Sequence, residues 1–372
     1  MSAKMKKRIL IVGAGLAGCT CARLLADDYS ITLIDKSPEL GGLCKDMKLI
    51  TANCYYHRYG IHVFHTKKKY IWDFVNKFMK FREYHLQQRS LIDGFYYHFP
   101  VNLNTIEEVY QTDVHGESDV NKLIHDKKYT NPKNFEEYAI NDIGTKLYEM
   151  FIKSYTEKQW QCSCDKLPSS VYKRVSIRYN RDNDLFQNQY QGLPVEGYTN
   201  FMYSLIQHPN IEFIPMMEYN YFDTSEDNKY ERIIYTGSYE GLPYRSTQFI
   251  MRADQLSEDY SLVSLPQDSF YVRRTNCTSL HAIDPNNTSA SSICVYEAPM
   301  KNNSGALCLP INTQDNGFLY MKKRFEFMNL HPSSILVGRL STYKYMNMDE
   351  TIDQCFKTLS KENMIDVSKY FK

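Results

Sequence analysis

The N-terminal residues alternate between apolar runs and small residues in a way that predicts a strand, a tight turn and a helix. The apolar run 9–12 ends in residues 13–18, which read G-A-G-L-A-G, and an apolar stretch with helical character, 19–26, comes next. A second apolar run then ends in Asp35. In such a turn the first glycine permits the chain reversal, the second lets the backbone approach a pyrophosphate, and the third lets the helix pack on the strand. The pattern predicts an adenine-dinucleotide site; a glycine-rich turn without a ligand is the alternative.

The residues around this turn are therefore candidate ligands of the dinucleotide. Free N–H groups and the positive dipole end at the start of a helix suit a pyrophosphate, and a carboxylate at the end of the second strand can accept ribose hydroxyls. After Asp35 the chain continues through Lys36 to the pair Gly41-Gly42, an extension common in FAD-binding chains. We therefore predict FAD, with NAD as the alternative. The predicted cofactor-binding residues in this region are Gly13, Gly15, Leu16, Ala17, Asp35, Lys36, Gly42 and Leu43.

Further along the chain, the apolar spacing predicts helices and short strands in separate blocks. Residues 70–80 have helical spacing, Asp93-Gly94 is a hairpin signal, and residues 103–166 are expected to be helical, with Thr105 as an N-cap. Residues 168–194 are polar and irregular, which is typical of a mobile loop.

Strand patterns that return late in the chain predict a discontinuous fold. The predicted class is α/β, with a Rossmann-like FAD-binding domain, an inserted helical domain and an antiparallel β-sheet domain. The expected bounds are 1–80, 195–240 and 325–372 for the FAD-binding domain, 100–165 for the helical domain, and 81–99, 166–194 and 241–324 for the β-sheet substrate domain.

Composition and charge narrow the class of protein. The 372 residues carry a net charge of +1, which gives no global field for nucleic acid or an anionic membrane. The ten cysteines are scattered, no secretory signal is visible, and no stretch of about 18 apolar residues occurs. These features predict reduced thiols in a cytoplasmic protein. His62 and His65 lie three residues apart, but without a partnering Cys or Asp they are a weak zinc signal, so no metal is expected.

Several short motifs follow one another in a fixed order. They include G-I-H-V-F-H-T at 60–66, F-P-V-N-L-N-T at 99–105, Y-T-E-K-Q-W at 155–160, Y-Q-G-L-P-V-E-G-Y-T at 190–199 and G-R-L-S-T-Y-K-Y at 338–345. In this order, and over nearly the whole chain, they resemble the motifs of the prokaryotic-type UDP-galactopyranose mutases. The resemblance implies an isomerase that interconverts the pyranose and furanose forms of UDP-galactose without net redox change. It also implies a reduced FAD whose N5 forms an adduct with the sugar.

The resemblance also assigns roles to individual residues. It implies that Arg174 and Arg273 bind the diphosphate, for which a guanidinium fork is better suited than a lysine. Tyr155 matches the uracil-stacking tyrosine and Trp160 a substrate-side tryptophan. The implied catalytic residues are Arg174, Arg273, His62 and Tyr345. The implied substrate-binding residues are Tyr155, Trp160, Arg174, Arg273, Tyr345 and Asn347. His62 and Arg339 are expected against the flavin. NAD(P)H is expected as a transient reductant, and a homodimer is one expectation because members of the family are often dimers.

Five positions, in four places along the chain, depart from the family pattern. Leu185 replaces a tyrosine that contacts the diphosphate, Asn347 replaces a carboxylate, Leu43 replaces an asparagine, and Cys308-Leu309 replaces a tyrosine pair. Each lost hydroxyl contact costs about 1 kcal/mol of binding. Three hypotheses stay open: an active mutase whose preferred UDP-sugar is unknown, a flavin-dependent oxidoreductase, and a binding protein that has lost turnover.

Overall fold

Four β-sheets and a helical region make up the part of the chain that the computed structural model describes. That part is residues 6–370 without 125–127, 175, 221–222, 226, 259, 282–290, 302 and 312, and without the side chains of Ser170, Lys173 and Arg174. The strands are β1 Arg8–Val12, β2 Ser30–Ile34, β3 Asp46–Leu49, β4 Cys54–His57, β5 Phe64–Thr66, β6 Phe81–Glu83, β7 Gln88–Ile92, β8 Phe95–Phe99, β9 Tyr190–Pro194, β10 Ile211–Ile214, β11 Arg232–Tyr235, β12 Tyr244–Asp254, β13 Leu262–Ser264, β14 Arg273–Asn276, β15 Ser292–Met300, β16 Ala306–Pro310 and β17 Ser334–Leu336. The α-helices are α1 Leu16–Leu25, α2 Lys69–Phe78, α3 Leu103–Tyr110, α4 Glu117–Leu123, α5 Phe135–Leu147, α6 Ser154–Trp160, α7 Tyr198–Ile206, α8 Cys277–Leu280, α9 Gln314–Leu330 and α10 Met348–Lys361.

The N-terminal segment forms the centre of a parallel sheet with the order β10-β2-β1-β11-β17. Its strands are almost continuously apolar, as expected for strands covered on both faces. Ile9, Ile11 and Leu33 are fully buried in it. This arrangement confirms the predicted Rossmann-like α/β fold, since strands distant in sequence pair side by side around the first βαβ unit.

The glycine turn between β1 and α1 is packed without room for a side chain. Gly13 has a φ of +101°, and a Cβ there would lie 2.1 Å from the Thr236 Oγ1 atom. A Cβ on Gly18 would lie 1.8 Å from the Gly13 carbonyl oxygen. Both contacts require glycine, so α1 begins directly above the carboxyl ends of the central strands.

A second, larger sheet has the order β16-β12-β15-β14-β13-β7-β8 and is antiparallel except for the β7–β13 pair. The predicted hairpin at Asp93-Gly94 joins β7 to β8. The register places Arg273 of β14 opposite Glu297 of β15. Because neighbouring residues of a strand face opposite sides, Arg273 and Arg274 lie on different faces of this sheet.

Two parts of the segment assigned to the β-sheet domain pack elsewhere, which corrects the expected bounds. Strand β9 pairs with β5 and β6 in a separate three-stranded sheet, whose Phe81 and Leu193 join the core of the Rossmann-like region. Leu167 and Tyr172 are buried in the core of the helical region. Both exceptions arise because the polar segment 166–194 carries isolated apolar residues that bury against whichever core lies beside them. The remaining domain bounds stay predictions.

The first helix of the helical region starts where the sequence predicts, but its cap is a different residue. Helix α3 begins at Leu103, and its N-cap is Asn102 rather than Thr105. The Asn102 Oδ1 atom accepts from the Thr105 N–H at 3.1 Å, and the Thr105 Oγ1 atom accepts from the Asn102 N–H at 3.1 Å. This reciprocal capping box satisfies two donors, which a Thr105 cap alone does not do. None of the described helices is both long and apolar enough to cross a membrane.

Replacement of Gly18 by alanine tests the packing of the glycine turn. Helix propensity alone favours alanine by about 1 kcal/mol, but the contact with the Gly13 carbonyl must be relieved by moving α1. We expect Gly18→Ala to lower the free energy of unfolding by about 3 kcal/mol and to weaken FAD binding, measured by urea unfolding and flavin titration. Gly317→Ala, in α9 with no atom within 4 Å of the added Cβ, is the control and should be neutral or stabilising. Equal effects of the two substitutions would contradict the interpretation.

Candidate active site

Two glycine loops meet at the carboxyl edge of the parallel sheet. Gly15 bridges to Gly41, and a Cβ on Gly42 would lie 3.1 Å from the Gly15 Cα. Gly15 is the N-cap residue of α1, and no described side chain caps the first turn of that helix. Backbone N–H groups at the start of α1 are therefore available to a phosphate. Leu16 and Ala17 of this first turn are buried, whereas Gly42 is exposed and Leu43 half-buried.

Asp35 lies beside the glycine turn, as its place at the end of β2 requires. Its Oδ2 atom accepts from the Ala14 N–H at 2.7 Å and its Oδ1 atom from the Ser37 N–H at 2.7 Å. A carboxylate has about four acceptor positions, so this one keeps capacity for ribose hydroxyls. Lys36 is exposed. The glycine cradle, the uncapped helix start and this carboxylate fit the pyrophosphate and ribose of a dinucleotide such as FAD.

Three histidines form a chain next to these loops. The His62 N–H donates to the His57 Nδ1 atom at 3.1 Å, and the His57 and His281 Nε2 atoms lie 2.8 Å apart. His57 Nδ1 is thus an acceptor, so the neutral His57 ring carries its proton on Nε2 and donates it to His281. Burial lowers the pKa of His57 well below 6.5, helped by the two neighbouring imidazoles. Burial also lowers the pKa of His281 to about 4.

His62 is neutral at pH 7 and has a defined tautomer. Burial, together with the nearby cations Arg339 and Arg273, lowers its pKa to about 4. Its Nδ1 atom lies 2.9 Å from the Gly60 carbonyl oxygen, which can only accept, so Nδ1 carries the proton. The His62 Nε2 atom is then an acceptor. The second histidine of the motif, His65, stacks on Phe186 at 3.8 Å between ring centroids. No cluster of three or more His, Cys, Asp or Glu residues suited to a metal occurs among the described residues.

The predicted diphosphate residue Arg273 is held by a buried carboxylate. Its Nη2 atom donates to the Glu297 Oε2 atom at 2.7 Å, and Glu297 is 1% exposed. Burial opposes the charged form of Arg273, but Glu297, Tyr155 and Tyr345 together raise its pKa. The Arg273 Nε and the Glu297 Oε1 atoms have no hydrogen-bond partner among the described residues. The cation is thus permanent and retains an unused donor.

Arg339 and Tyr345 complete the group from the C-terminal segment. The Arg339 guanidinium donates to the carbonyl oxygens of Met346 and Cys308, at 3.0 Å for Nε and 2.9 Å for Nη1. It also lies 5.3 Å from the centroid of the Tyr345 ring. Tyr345 is 39% exposed, so an exposed aromatic ring lies next to two fixed cations.

Helix α6 presents the two predicted aromatic residues. Tyr155 and Trp160 are both half-buried, and Trp160 packs against the core of the helical region. Tyr155 is close enough to Arg273 to raise its pKa. The structure therefore brings together Tyr155, Arg273, Tyr345, Arg339 and His62, which come from four distant segments of the chain.

The other predicted site positions have different surroundings. Asn347 is the N-cap residue of α10, and its backbone N–H donates to the Glu350 Oε2 atom at 2.7 Å. Leu185 packs against the core of the Rossmann-like region, and Leu309 is buried opposite Arg245. The backbone of Arg174 ends a short 3-10 helix, Ser169–Arg174, but its side chain lies outside the described part of the chain, so its role stays a prediction.

Sequence reasoning missed three residues of the site. Glu297 holds Arg273 through strand pairing, which no local motif reveals. His57 belongs to the stretch that precedes the G-I-H motif, and His281 follows β14, so their contact depends on tertiary structure.

Comparisons with known proteins identify the class and the family of the chain. The parallel sheet and the glycine loops define a dinucleotide-binding α/β enzyme, and a family model for a NAD(P)-binding Rossmann-like domain matches residues 11–78. A second family model, UDP-galactopyranose mutase, matches residues 150–345. A probable UDP-galactopyranose mutase of Klebsiella pneumoniae is 30% identical over 95% of this chain and 94% of its own length. A dTDP-fucopyranose mutase of Escherichia coli is 30% identical over 94% of this chain and 97% of its own length.

The fold comparison gives the same result. A crystal structure of reduced UDP-galactopyranose mutase superposes with a TM-score of 0.73 over 96% of each chain, at 14% identity. The chain belongs to the UDP-galactopyranose mutase family. It is an enzyme of this isomerase class, and FAD is the cofactor that its fold and family support.

The buried histidine chain predicts a loss of stability in mild acid. The pKa of His281 is about 4 in the folded protein and about 6.5 in an unfolded chain, so the unfolded state binds more protons below pH 6.5. Its contribution is therefore present above pH 6.5 and is lost as the pH falls towards 4, by about 2 kcal/mol between pH 7 and pH 5. Urea unfolding of His281→Gln at pH 7, 6 and 5 should show a correspondingly weaker pH dependence. His115→Gln, at an exposed position, should keep that of the unaltered protein; an unchanged pH dependence in His281→Gln would refute the assignment.

Proposed function

We propose that the protein interconverts the pyranose and furanose forms of a UDP-sugar, with UDP-galactose as the first candidate, in the reduced-FAD state. The observation that carries the proposal is the convergence of Tyr155, Arg273 and Tyr345 on one side and His62 and Arg339 on the other. The first group offers aromatic rings and a fixed cation to a nucleotide diphosphate. The second group lies next to the loops that fit the dinucleotide.

In this proposal the cofactor is held by the glycine loops and Asp35, with its reactive ring near His62 and Arg339. When bound and reduced, FAD supplies the nucleophile for the anomeric carbon of the sugar. His62 orders this end of the site because its Nδ1 proton is held by the Gly60 carbonyl and its Nε2 atom remains an acceptor. The neutral imidazole adds no charge between the two arginines.

The diphosphate is the leaving group, and Arg273 is its proposed partner. Glu297 orients the guanidinium through Nη2, which leaves the Nε atom free to donate. Such a preorganised cation stabilises charge that develops on the departing phosphate. Arg174 is the proposed second cation, and Tyr155 and Trp160 are proposed to contact the base and the substrate side, with Asn347 near the sugar.

A second candidate substrate is dTDP-fucose, which should be tested in the same assay as UDP-galactose. The curated relatives at 30% identity include both a UDP-galactopyranose mutase and a dTDP-fucopyranose mutase. The changes at Leu185, Leu309 and Asn347 lie at positions expected to contact substrate. Fucose has one hydroxyl fewer to satisfy than galactose, so loss of the substrate-side tyrosine at Cys308-Leu309 favours a deoxysugar.

A turnover assay tests the proposal directly. Purified FAD-loaded protein, reduced with dithionite, is given UDP-galactofuranose or the furanose form of dTDP-fucose, and chromatography follows the pyranose product. We expect conversion of at least one of them, with no activity in the oxidised state. Retained FAD without conversion of either would overturn the proposal, whereas oxygen consumption on an amine would favour an oxidoreductase.

Two further expectations have their own tests. NAD(P)H in place of dithionite tests the proposed reductant, and sedimentation tests the proposed homodimer.

The role of Arg273 gives a sharper prediction. Arg273→Lys keeps a positive charge near Glu297 but loses the planar fork and the free Nε donor. We expect kcat/KM to fall roughly 100-fold, equivalent to about 2.7 kcal/mol of transition-state stabilisation. The flavin absorbance spectrum should be unchanged. Arg181→Lys is the matched control, because Arg181 also pairs with a glutamate, Glu107, through Nη1 and Nη2 at 2.6 Å, but lies exposed beside helix α3. Equal kcat/KM values for the two variants would refute the role.

A further inference from the structure

One half-buried contact outside the residues assigned so far joins the helical region to the large sheet. The Lys158 Nζ atom donates to three backbone carbonyl oxygens of one loop: those of Leu265 at 2.6 Å, Tyr271 at 2.9 Å, and Asp268. These are the three hydrogen bonds that an ammonium group can donate. All three N–H groups of the ammonium therefore donate to a single segment, 265–272, between β13 and β14.

Hydrogen bonds within the loop fix the positions of these three carbonyl groups. The Asp268 Oδ1 atom accepts from the Phe270 and Tyr271 N–H groups at 2.7 and 2.6 Å, which folds the loop tip into a compact turn. At its base, the Leu265 N–H donates to the Val272 carbonyl at 2.9 Å. Both ends and the tip are thus held, so the position of the ammonium group is coupled to the start of β14.

Both sides of this contact lead directly to proposed substrate residues. On the helix, Tyr155 lies one turn before Lys158, on the same face, and Trp160 follows two residues later. On the loop, Tyr271 lies two residues before Arg273. A displacement of the loop relative to α6 would therefore change the distance between Tyr155 and the Arg273 guanidinium.

We propose that Lys158 is a positioning residue that sets the spacing between the base-contacting face of α6 and the diphosphate-contacting Arg273. The inference rests on the proposed function, because it assigns the two ends of one ligand to these two elements. A nucleoside diphosphate spans both ends and gains affinity only when they are held at the correct separation. A ligand that occupies one end alone does not depend on that separation.

Binding of the whole ligand and of its two parts tests the proposal. UDP, uridine and pyrophosphate are titrated separately against FAD-loaded Lys158→Met, whose side chain is of similar length but has no donors. We expect the Kd for UDP to rise at least about tenfold, and the Kd values for uridine and pyrophosphate to change less than about threefold. In turnover, KM for the sugar nucleotide should rise more than kcat falls, and the flavin spectrum should be unchanged.

A second lysine serves as the control, and a second substitution of Lys158 is available if the first does not fold. Lys166→Met removes an exposed lysine from the 3-10 turn after α6 and should leave all three Kd values unchanged. Helix α6 also packs against β15 of the large sheet, which favours folding of the variants. If Lys158→Met does not yield folded flavoprotein, Lys158→Gln, which retains a donor, is titrated instead, with the same selective loss of UDP affinity expected.

The contrary outcomes are distinct. Unchanged UDP affinity, or equal weakening of UDP, uridine and pyrophosphate, would overturn the positioning role while leaving the proposed function intact. Absence of UDP binding by the unaltered protein would instead reject the nucleotide-sugar function on which the inference rests.

Discussion

Among the glycines of the chain, Gly13 and Gly18 of the glycine turn leave the least room for a side chain, and the site depends on this. Gly13 leaves room only for Thr236, which follows β11, and a Cβ on Gly338, which follows β17, would lie 3.0 Å from the Ala17 Cβ. The turn is thus contacted by two segments that return to the parallel sheet after long insertions. Its lack of side chains lets these segments close on α1, which brings Arg339 and Tyr345 to the same edge as Asp35. A substituent at the turn would move these groups as well as the proposed phosphate contact.

The positive charges in the site are compensated by protein groups rather than by solvent. Two arginines lie near His62, and each is held differently: Arg339 by backbone carbonyls and Arg273 by the Glu297 carboxylate. Carbonyl acceptors leave the net charge of Arg339 intact, while Glu297 offsets that of Arg273 in part. Burial of a cation costs free energy unless hydrogen bonds or an anion compensate it. A doubly charged diphosphate entering this region would supply that compensation, which physically links nucleotide binding to the order of the surrounding side chains.

The N-terminal βαβ unit, the turn at Gly13, the helix packing at Gly18 and the α/β class followed from the sequence because they depend on local spacing. The N-cap of α3 and the packing of residues 166–194 against two different cores did not follow from the sequence. The Asn102 cap competes with a plausible Thr105 cap three residues on, and only the reciprocal hydrogen bonds of the folded turn decide between them. The partner of Arg273 was likewise invisible, since Glu297 becomes adjacent only through the register of β14 and β15. Contacts made by strand pairing or between backbone carbonyls and a distant lysine carry no sequence signature.

The departure at position 347 illustrates why a family motif and a local structure must be considered together. The structure places Asn347 at the N-cap of α10, where asparagine and aspartate cap with similar strength. Exchange of the family carboxylate for an amide therefore preserves the helix start while removing one negative charge near Tyr345. With Glu297 still paired to Arg273, this change makes the surroundings of Tyr345 more positive without altering the fold. Under the proposed function, the exchange changes the charge offered to the sugar nucleotide at little structural cost, which agrees with a retained mutase whose preference among nucleotide sugars has shifted.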